Sequence, residues 1–213
     1  MTGNLIIITS PSGGGKGTLI KEILGSVPNI GYSVSLTTRP QRPGEIDGQH
    51  YHFVSKEDFE NFSQAGGFLE YAEVHGNFYG TSREQTEKMT AAGKDVILEI
   101  DVQGAGWVLK RSPGAVSIFI LPPSFEALTN RLTARATETP EQLALRLRNS
   151  FGEVMHYTDF EYVVINDEIN SAAQRLASII LAERQKRIRQ TQAIQAILSS
   201  FDVSKHQPYG ETN

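Results

Sequence analysis

Residues 4–9 form an apolar run that leads into a glycine-dense turn and then a helical stretch from about 18 to 24. Short apolar runs recur at wide spacing, over 32–37, 96–100, 116–121 and 162–165. Runs this short, unbroken and rich in Val and Ile predict strands covered on both faces, as in a parallel sheet. Between them the spacing predicts helices over 82–92 and 124–134, and a long one from 171 to about 200. Strands alternating with helices make an α/β fold.

Two regions break the rhythm. Residues 33–84 are dense in glycine, aromatics and charge, and read as an inserted substrate lobe. Residues 124–157 are helical and carry Arg131, Arg135, Arg146 and Arg148, a composition suited to a mobile cover over an anionic site. The basic cluster Arg184, Lys186, Arg187 and Arg189 reads as a solvated helix face.

Composition removes several classes of function. The 213 residues carry a net charge of −4, which argues against a general nucleic-acid binder. There is no cysteine, which excludes disulfides, thiolate zinc sites and a cysteine nucleophile. No run has the length of a membrane span or the pattern of a targeting leader, so a cytoplasmic protein is expected. His50 and His52 stand in a metal-like spacing, but no third ligand cluster accompanies them.

The strongest chemical signal is Ser10-Pro11-Ser12-Gly13-Gly14-Gly15-Lys16-Gly17-Thr18, between a strand and a helix. Glycines allow a tight turn that aims several N–H groups at one point, and the helix start adds its positive dipole end. Lys16 supplies a full charge for the β- and γ-phosphates. The loop departs from the usual phosphate-loop pattern at Ser10, where Gly is expected, and at Gly17, where Ser or Thr is expected. Mg²⁺ keeps waters and binds substrate phosphates readily, so no direct protein ligand is required; Thr18 stays open as one.

A phosphate loop alone says only nucleotide. Arg39 and Arg42 flank a Pro-containing turn with Tyr51 beyond it, a set able to grip a phosphate with directed donors. Glu70, Tyr79 and Thr81 follow within the stretch FLEYAEVHGNFYGTS. With TTRPQRPGE, LEIDVQGA, FILPPS and VVINDE in this order, the chain resembles the guanylate kinases, over most of residues 4–185.

The resemblance implies a P-loop kinase core with a parallel sheet flanked by helices, an inserted GMP-binding lobe and a helical lid. Its boundaries would be core 4–32, 85–123 and 158–200, lobe 33–84 and lid 124–157, within a domain of 4–208. ATP and GMP would be the substrates and Mg²⁺ the metal, with no nucleic-acid or membrane partner and an unspecified oligomeric state. Ser35, Glu70, Thr81 and Asp101 would lie at the guanine, and Arg39, Arg42, Tyr51 and Tyr79 at the GMP phosphate. Lys16 with the lid arginines Arg131, Arg135 and Arg146 would serve the transfer. Arg135, Asn166 and Asp167 would also line the adenine side. The family often has Asp where this chain has Glu99, which leaves the role of that longer side chain open. A scaffold module binding phosphorylated peptides, and a kinase acting on another phosphorylated small molecule, are the competing readings.

Overall fold

The computed structural model describes residues 2–74, 76–134 and 140–201. In chain order the elements are β1 (Leu5–Thr9), α1 (Lys16–Ser26), β2 (Ile30–Tyr32), β3 (Leu36–Thr37), β4 (His52–Phe53), α2 (Lys56–Gln64), β5 (Phe68–Val74), β6 (Asn77–Ser82) and α3 (Arg83–Ala91). They continue as β7 (Asp95–Glu99), α4 (Val102–Arg111), β8 (Val116–Leu121), α5 (Phe125–Thr133), α6 (Pro140–Met155), β9 (Tyr162–Ile165), α7 (Ile169–Arg184) and α8 (Thr191–Leu198).

Five strands form a parallel sheet in the order β2-β7-β1-β8-β9. Both its faces are covered over the inner strands β7, β1 and β8, which is why these read as unbroken apolar runs, whereas edge strand β9 leaves Val163 and Ile165 exposed. Successive residues of β1 face opposite layers. Ile6 and Ile8 pack with Leu19, Ile23, Leu176 and Ile180 of α1 and α7, whereas Ile7 packs with Leu98, Ala105 and Val108 on the α4 side. All three isoleucines are fully buried, and truncating one to Ala would cost roughly 2–5 kcal/mol. Helix starts are capped by side chains: Ser55, Ser82, Asp101 and Ser124 each accept from a backbone N–H three residues on.

A second sheet, β4-β3-β6-β5, lies within the segment expected as an insert. One of its faces has an aromatic core with α2. The Phe59 ring lies 4.4 Å from Phe68 and 5.5 Å from Phe78, and Phe62 lies 4.7 Å from Phe68.

Three expectations need correction. The run 32–37 is not one strand: Tyr32 ends β2 in the first sheet and Leu36 opens β3 in the second. Residues 33–35 cross between the sheets, and the small buried serines 33 and 35 let the chain do so. The helix expected over 171–200 breaks after Arg184 into a short 3₁₀ turn (Arg187–Gln190) before α8. Gln190 donates to the Arg184 carbonyl, satisfying a helix-end acceptor through a side chain that no Gly or Pro signals. The basic cluster is more than a solvated face. Arg184 bonds buried Asp95 at 2.7 Å, and Lys186 pairs with Glu183 at 2.8 Å.

Candidate active site

The chain leaves the parallel sheet for its chemistry at the carboxyl ends of the strands, where ligands sit in open α/β sheets. The phosphate loop follows β1, the crossover of 33–35 follows β2, Asp101 follows β7 and Asn166 follows β9. β1 lies between β7 and β8, and the segments that follow both neighbours reach Ser10–Thr18, through Ile100 after β7 and Arg131 of α5 after β8.

Gly13 and Gly15 adopt φ of 82° and 84°, conformations that only glycine takes without strain. A side chain at Gly15 would also collide with the Asn166 amide. Asn166 is buried and donates Nδ2–H to the Gly14 carbonyl at 2.9 Å, and its Oδ1 has no hydrogen-bond partner among the described residues. Arg131 donates to the Asn166 carbonyl at 2.8 Å and to the Gly14 carbonyl at 3.4 Å. Lys16 opens α1; its Nζ donates to the Ile100 carbonyl at 3.2 Å and stands 3.9 Å from Glu99 Oε1. The Tyr32 hydroxyl donates to the other Glu99 oxygen at 3.0 Å. Burial, reinforced by that carboxylate, pushes the Tyr32 pKa up and keeps the phenol a donor.

Residues near the second sheet form a separate polar group. Arg39 donates to Glu45 at 2.7 Å, stacks over the Tyr51 ring at 5.4 Å and interacts with the Tyr79 hydroxyl. The Arg42 backbone N–H donates to the second Glu45 oxygen at 2.7 Å. Burial works against the charge on Glu45, yet Arg39 and the Arg42 N–H outweigh it and hold the carboxyl below its usual range. Tyr51 and Tyr79 meet edge to face at 5.8 Å. Burial first, and the nearby Glu99 carboxylate second, push the Tyr51 hydroxyl up to about 12, so it stays protonated at neutral pH. Glu99 therefore lies near both the phosphate-loop lysine and this arginine-tyrosine group.

The base-recognition candidates depend on strand register. Thr81 pairs with Glu70 and Tyr79 with Ala72 across β5 and β6, so Glu70, Thr81 and Tyr79 share a face. Phe68, two residues before Glu70, would share it as well in a regular strand. The register shifts by one between them, a bulge that sends Phe68 to the aromatic core and Glu70 to the polar face. Thr81 Oγ1 donates to Glu70 Oε1 at 2.6 Å, and both residues are buried. Burial raises the Glu70 pKa to about 7, against the pull of the Thr81 hydroxyl and with the help of nearby Asp101. A Cβ on Gly104 would fall 2.6 Å from Glu70 Oε2 and 3.2 Å from Asp101 Oδ1, so both carboxylates close on this glycine. Asp101 is also the cap of α4, accepting from the Gly104 N–H at 2.8 Å. Buried Ser35 lies just before β3, and its carbonyl accepts from the His52 N–H.

The structure thus brings Lys16, Arg131 and Asn166 onto the phosphate loop, and gathers Arg39, Arg42, Tyr51 and Tyr79. Glu70, Thr81 and Asp101 form a third group. Asp167 is tied instead to Arg175 by an ion pair, and Thr18 is exposed on the first turn of α1. Arg135 lies outside the described residues, and Arg148 is exposed on α6. Sequence reasoning missed Glu45, which a Pro-Gly turn returns onto both arginines. It also missed Ser150 and Glu153 of α6, which bond to the carbonyl and the N–H of Ser12. The spacing of Arg146, Ser150 and Glu153 on one helix face is the signal that could have found them.

For a divalent cation, no group of three or more His, Asp or Glu ligands occurs among the described residues. The oxygen donors beside the loop, the Glu99 carboxylate and the Thr18 hydroxyl, suit a hard cation held mainly by phosphates and waters.

The family model described as guanylate kinase matches residues 2–183. The guanylate kinase of Symbiobacterium thermophilum is 48% identical over 192 residues, covering 90% of this chain and 91% of its own. That of Pseudomonas fluorescens is 48% identical over 200 residues, covering 94% and 97%. The crystal structure of guanylate kinase from Anaplasma phagocytophilum superposes with a TM-score of 0.76 at 36% identity, covering 88% of this chain and 89% of that one.

Proposed function

The chain belongs to the guanylate kinase family and is an ATP-dependent GMP kinase, and from that premise we propose how its residues carry out the transfer. The γ-phosphoryl group of ATP passes directly to a phosphate oxygen of GMP, giving ADP and GDP with no phosphoenzyme. Such a transfer needs alignment and neutralised charge more than covalent help.

The phosphate loop, residues Ser10–Thr18, holds the triphosphate through N–H groups other than that of Ser12, which Glu153 takes, and Lys16 exchanges its contact with Ile100 for phosphate oxygens. Glu99 and Thr18 are the oxygen donors nearest to where Mg²⁺ would be held, mainly by phosphates and water, and it would supply charge neutralisation on the triphosphate. Arg39 and Arg42 take the GMP phosphate with the Tyr51 and Tyr79 hydroxyls as further donors. Glu45 keeps the Arg39 guanidinium oriented until that anion arrives. Glu70 accepts from guanine N1–H and the 2-amino group, while Thr81, Ser35 and Asp101 complete the polar wall. Adenine presents an acceptor at N1 and no 2-amino group, so it would leave buried Glu70 poorly paired. Arg131, Arg146 and Arg135 neutralise the moving phosphoryl group, and Asn166 and Asp167 line the adenine side with Arg135. On this reading the second sheet is the GMP lobe and the segment 124–157 the lid. The enzyme then serves GMP recycling in the cytoplasm. No helix among the described residues is long and apolar enough to cross a membrane.

The observation that supports this reading most directly is the buried Thr81–Glu70 pair, whose carboxylate offers the acceptors that guanine's donor edge needs. The test is an acceptor panel with ATP and Mg²⁺, following ADP release and product identity. GMP should give GDP rapidly, IMP more slowly for want of the 2-amino group, and AMP, CMP and UMP little. AMP turning over as fast as GMP would overturn the base assignment. ADP released equally with no acceptor would overturn the transfer itself.

A further inference from the structure

Two sets of residues grip the phosphate loop. In the first, Gly14 accepts from Asn166 and Arg131, and Leu132 of α5 packs so closely that a Cβ on Gly13 would meet it at 2.9 Å. The second set is on α6. Glu153 Oε2 accepts from the Ser12 N–H at 2.9 Å. The buried Ser150 hydroxyl lies 3.3 Å from the Ser12 carbonyl and 2.8 Å from the Arg146 carbonyl of its own helix. One loop residue is thus held by its donor and its acceptor, both from a single helix.

Arg146, Ser150 and Glu153 stand at i, i+4 and i+7, one stripe of a helix with 3.6 residues per turn. The stripe that grips Ser12 therefore also carries Arg146. Apolar contacts between a helix and a loop are non-directional and do not by themselves single out one rotation of the helix. The Glu153 carboxylate on the Ser12 N–H gives a directed bond that opposes rotation of α6, and the Ser150 hydroxyl, whose one hydrogen is shared between the Arg146 and Ser12 carbonyls, adds a weaker contact on the adjoining peptide. Placement of a charge-neutralising arginine is demanding: a displacement of about 1 Å can cost on the order of 10²-fold in rate.

We propose that Glu153 is a positioning residue: by holding the Ser12 N–H it fixes the rotation of α6 on the phosphate loop and so directs Arg146 toward the triphosphate. Glu153 need not touch substrate; it acts through Arg146. The inference rests on the proposed role of Arg146 in the transfer.

The test is a double-mutant cycle of Glu153→Ala and Arg146→Ala, with kcat and both KM values measured at saturating co-substrate. Glu153→Ala is expected to lower kcat about 10- to 30-fold while KM for GMP changes less than about twofold, because the interaction lost is made in the transition state. Glu153→Gln keeps an oxygen that accepts from Ser12 and should restore most of that rate. In the Arg146→Ala background, Glu153→Ala should cost less than about threefold, since residues acting as one unit are not additive. Full additivity, or a Glu153→Gln variant as slow as Glu153→Ala, would overturn the proposal. An Arg146→Ala variant with undiminished kcat would overturn the arginine's role and the proposal together, a result distinct from additivity. Equal rises in KM for GMP and ATP without a fall in kcat would likewise reject it.

Discussion

Thr81 donates its hydroxyl hydrogen to Glu70 Oε1 at 2.6 Å, across the strand pair whose register shifts by one residue between Phe68 and Glu70. The bulge turns a carboxylate out of the aromatic layer, and the hydroxyl then holds it in a buried place where its charge is costly. The raised pKa of Glu70, about 7, follows from that burial.

This sets the pH response of GMP use. Below about pH 7 the free protein keeps Glu70 protonated, and guanine, which offers two donors, needs the carboxylate. The kcat/KM for GMP should therefore rise toward a plateau above about pH 7, up to tenfold per unit on the acid limb. The phosphate of GMP titrates nearby, with a second pKa of about 6. Measured against Glu70→Gln, the wild-type profile should contain one additional acid-limb ionisation; identical profiles would exclude Glu70 as its source.

Glu70→Gln should also separate recognition from stability. It places a donor against guanine's own donors, and kcat/KM for GMP is expected to fall about 100-fold or more while AMP changes little. A carboxyl whose pKa is raised on folding stabilises the fold below its unfolded value of 4.5, and that contribution is lost as pH rises through about 7. The neutral amide should thus gain about 1–3 kcal/mol over wild type at pH 8, read by urea unfolding.

Gly104→Ala is a narrower probe of the same place. Within an exposed helix, Ala would be favoured over Gly by about 1 kcal/mol. Here its Cβ would stand 2.6 Å from Glu70 Oε2, so the carboxylate must move. KM for GMP should rise about tenfold or more with KM for ATP nearly constant, a split that steady-state kinetics resolves.

Lys16→Met should lower kcat by at least about 100-fold, because one full charge at the phosphates is removed. GMP binding, followed by calorimetry without ATP, should stay within about twofold, since uniform binding and transition-state stabilisation are separable. Equal losses in both would contradict the division of labour between the loop and the acceptor group.

Far from this chemistry, buried Asp95 accepts from the Asn4 N–H at 2.6 Å and from Arg184 at 2.7 Å. Asp95→Ala strands both donors, and urea unfolding should show a loss of about 2–4 kcal/mol. GMP kinetics at 25 °C should be unchanged within about twofold, because the pair ties α7 to the N-terminal edge of the sheet.

Much of this protein was legible in its residues alone. The apolar runs of β1, β7 and β8 announce themselves because a strand buried on both faces has no polar alternation to blur it, and β9 reads the same way although Val163 and Ile165 on one face are exposed. The phosphate loop is equally local: glycine is required at Gly13 and Gly15 by positive φ, and a lysine and a helix start follow within the same few residues. Arg39, Arg42, Tyr51, Glu70 and Thr81 stood out through the motifs they belong to.

What the chain order does not carry is contact between distant segments. The aromatic and polar faces of the second sheet hinge on one extra residue between Phe68 and Glu70, and simple alternation would have placed both side chains together. Glu45 on Arg39, Tyr32 on Glu99 and Glu153 on Ser12 each satisfy a polar group with a partner that only folding brings near. The division is physical: periodicity and glycine conformation are properties of neighbouring residues, whereas a hydrogen bond between residues 12 and 153 exists only when the whole sheet has set the helices in place.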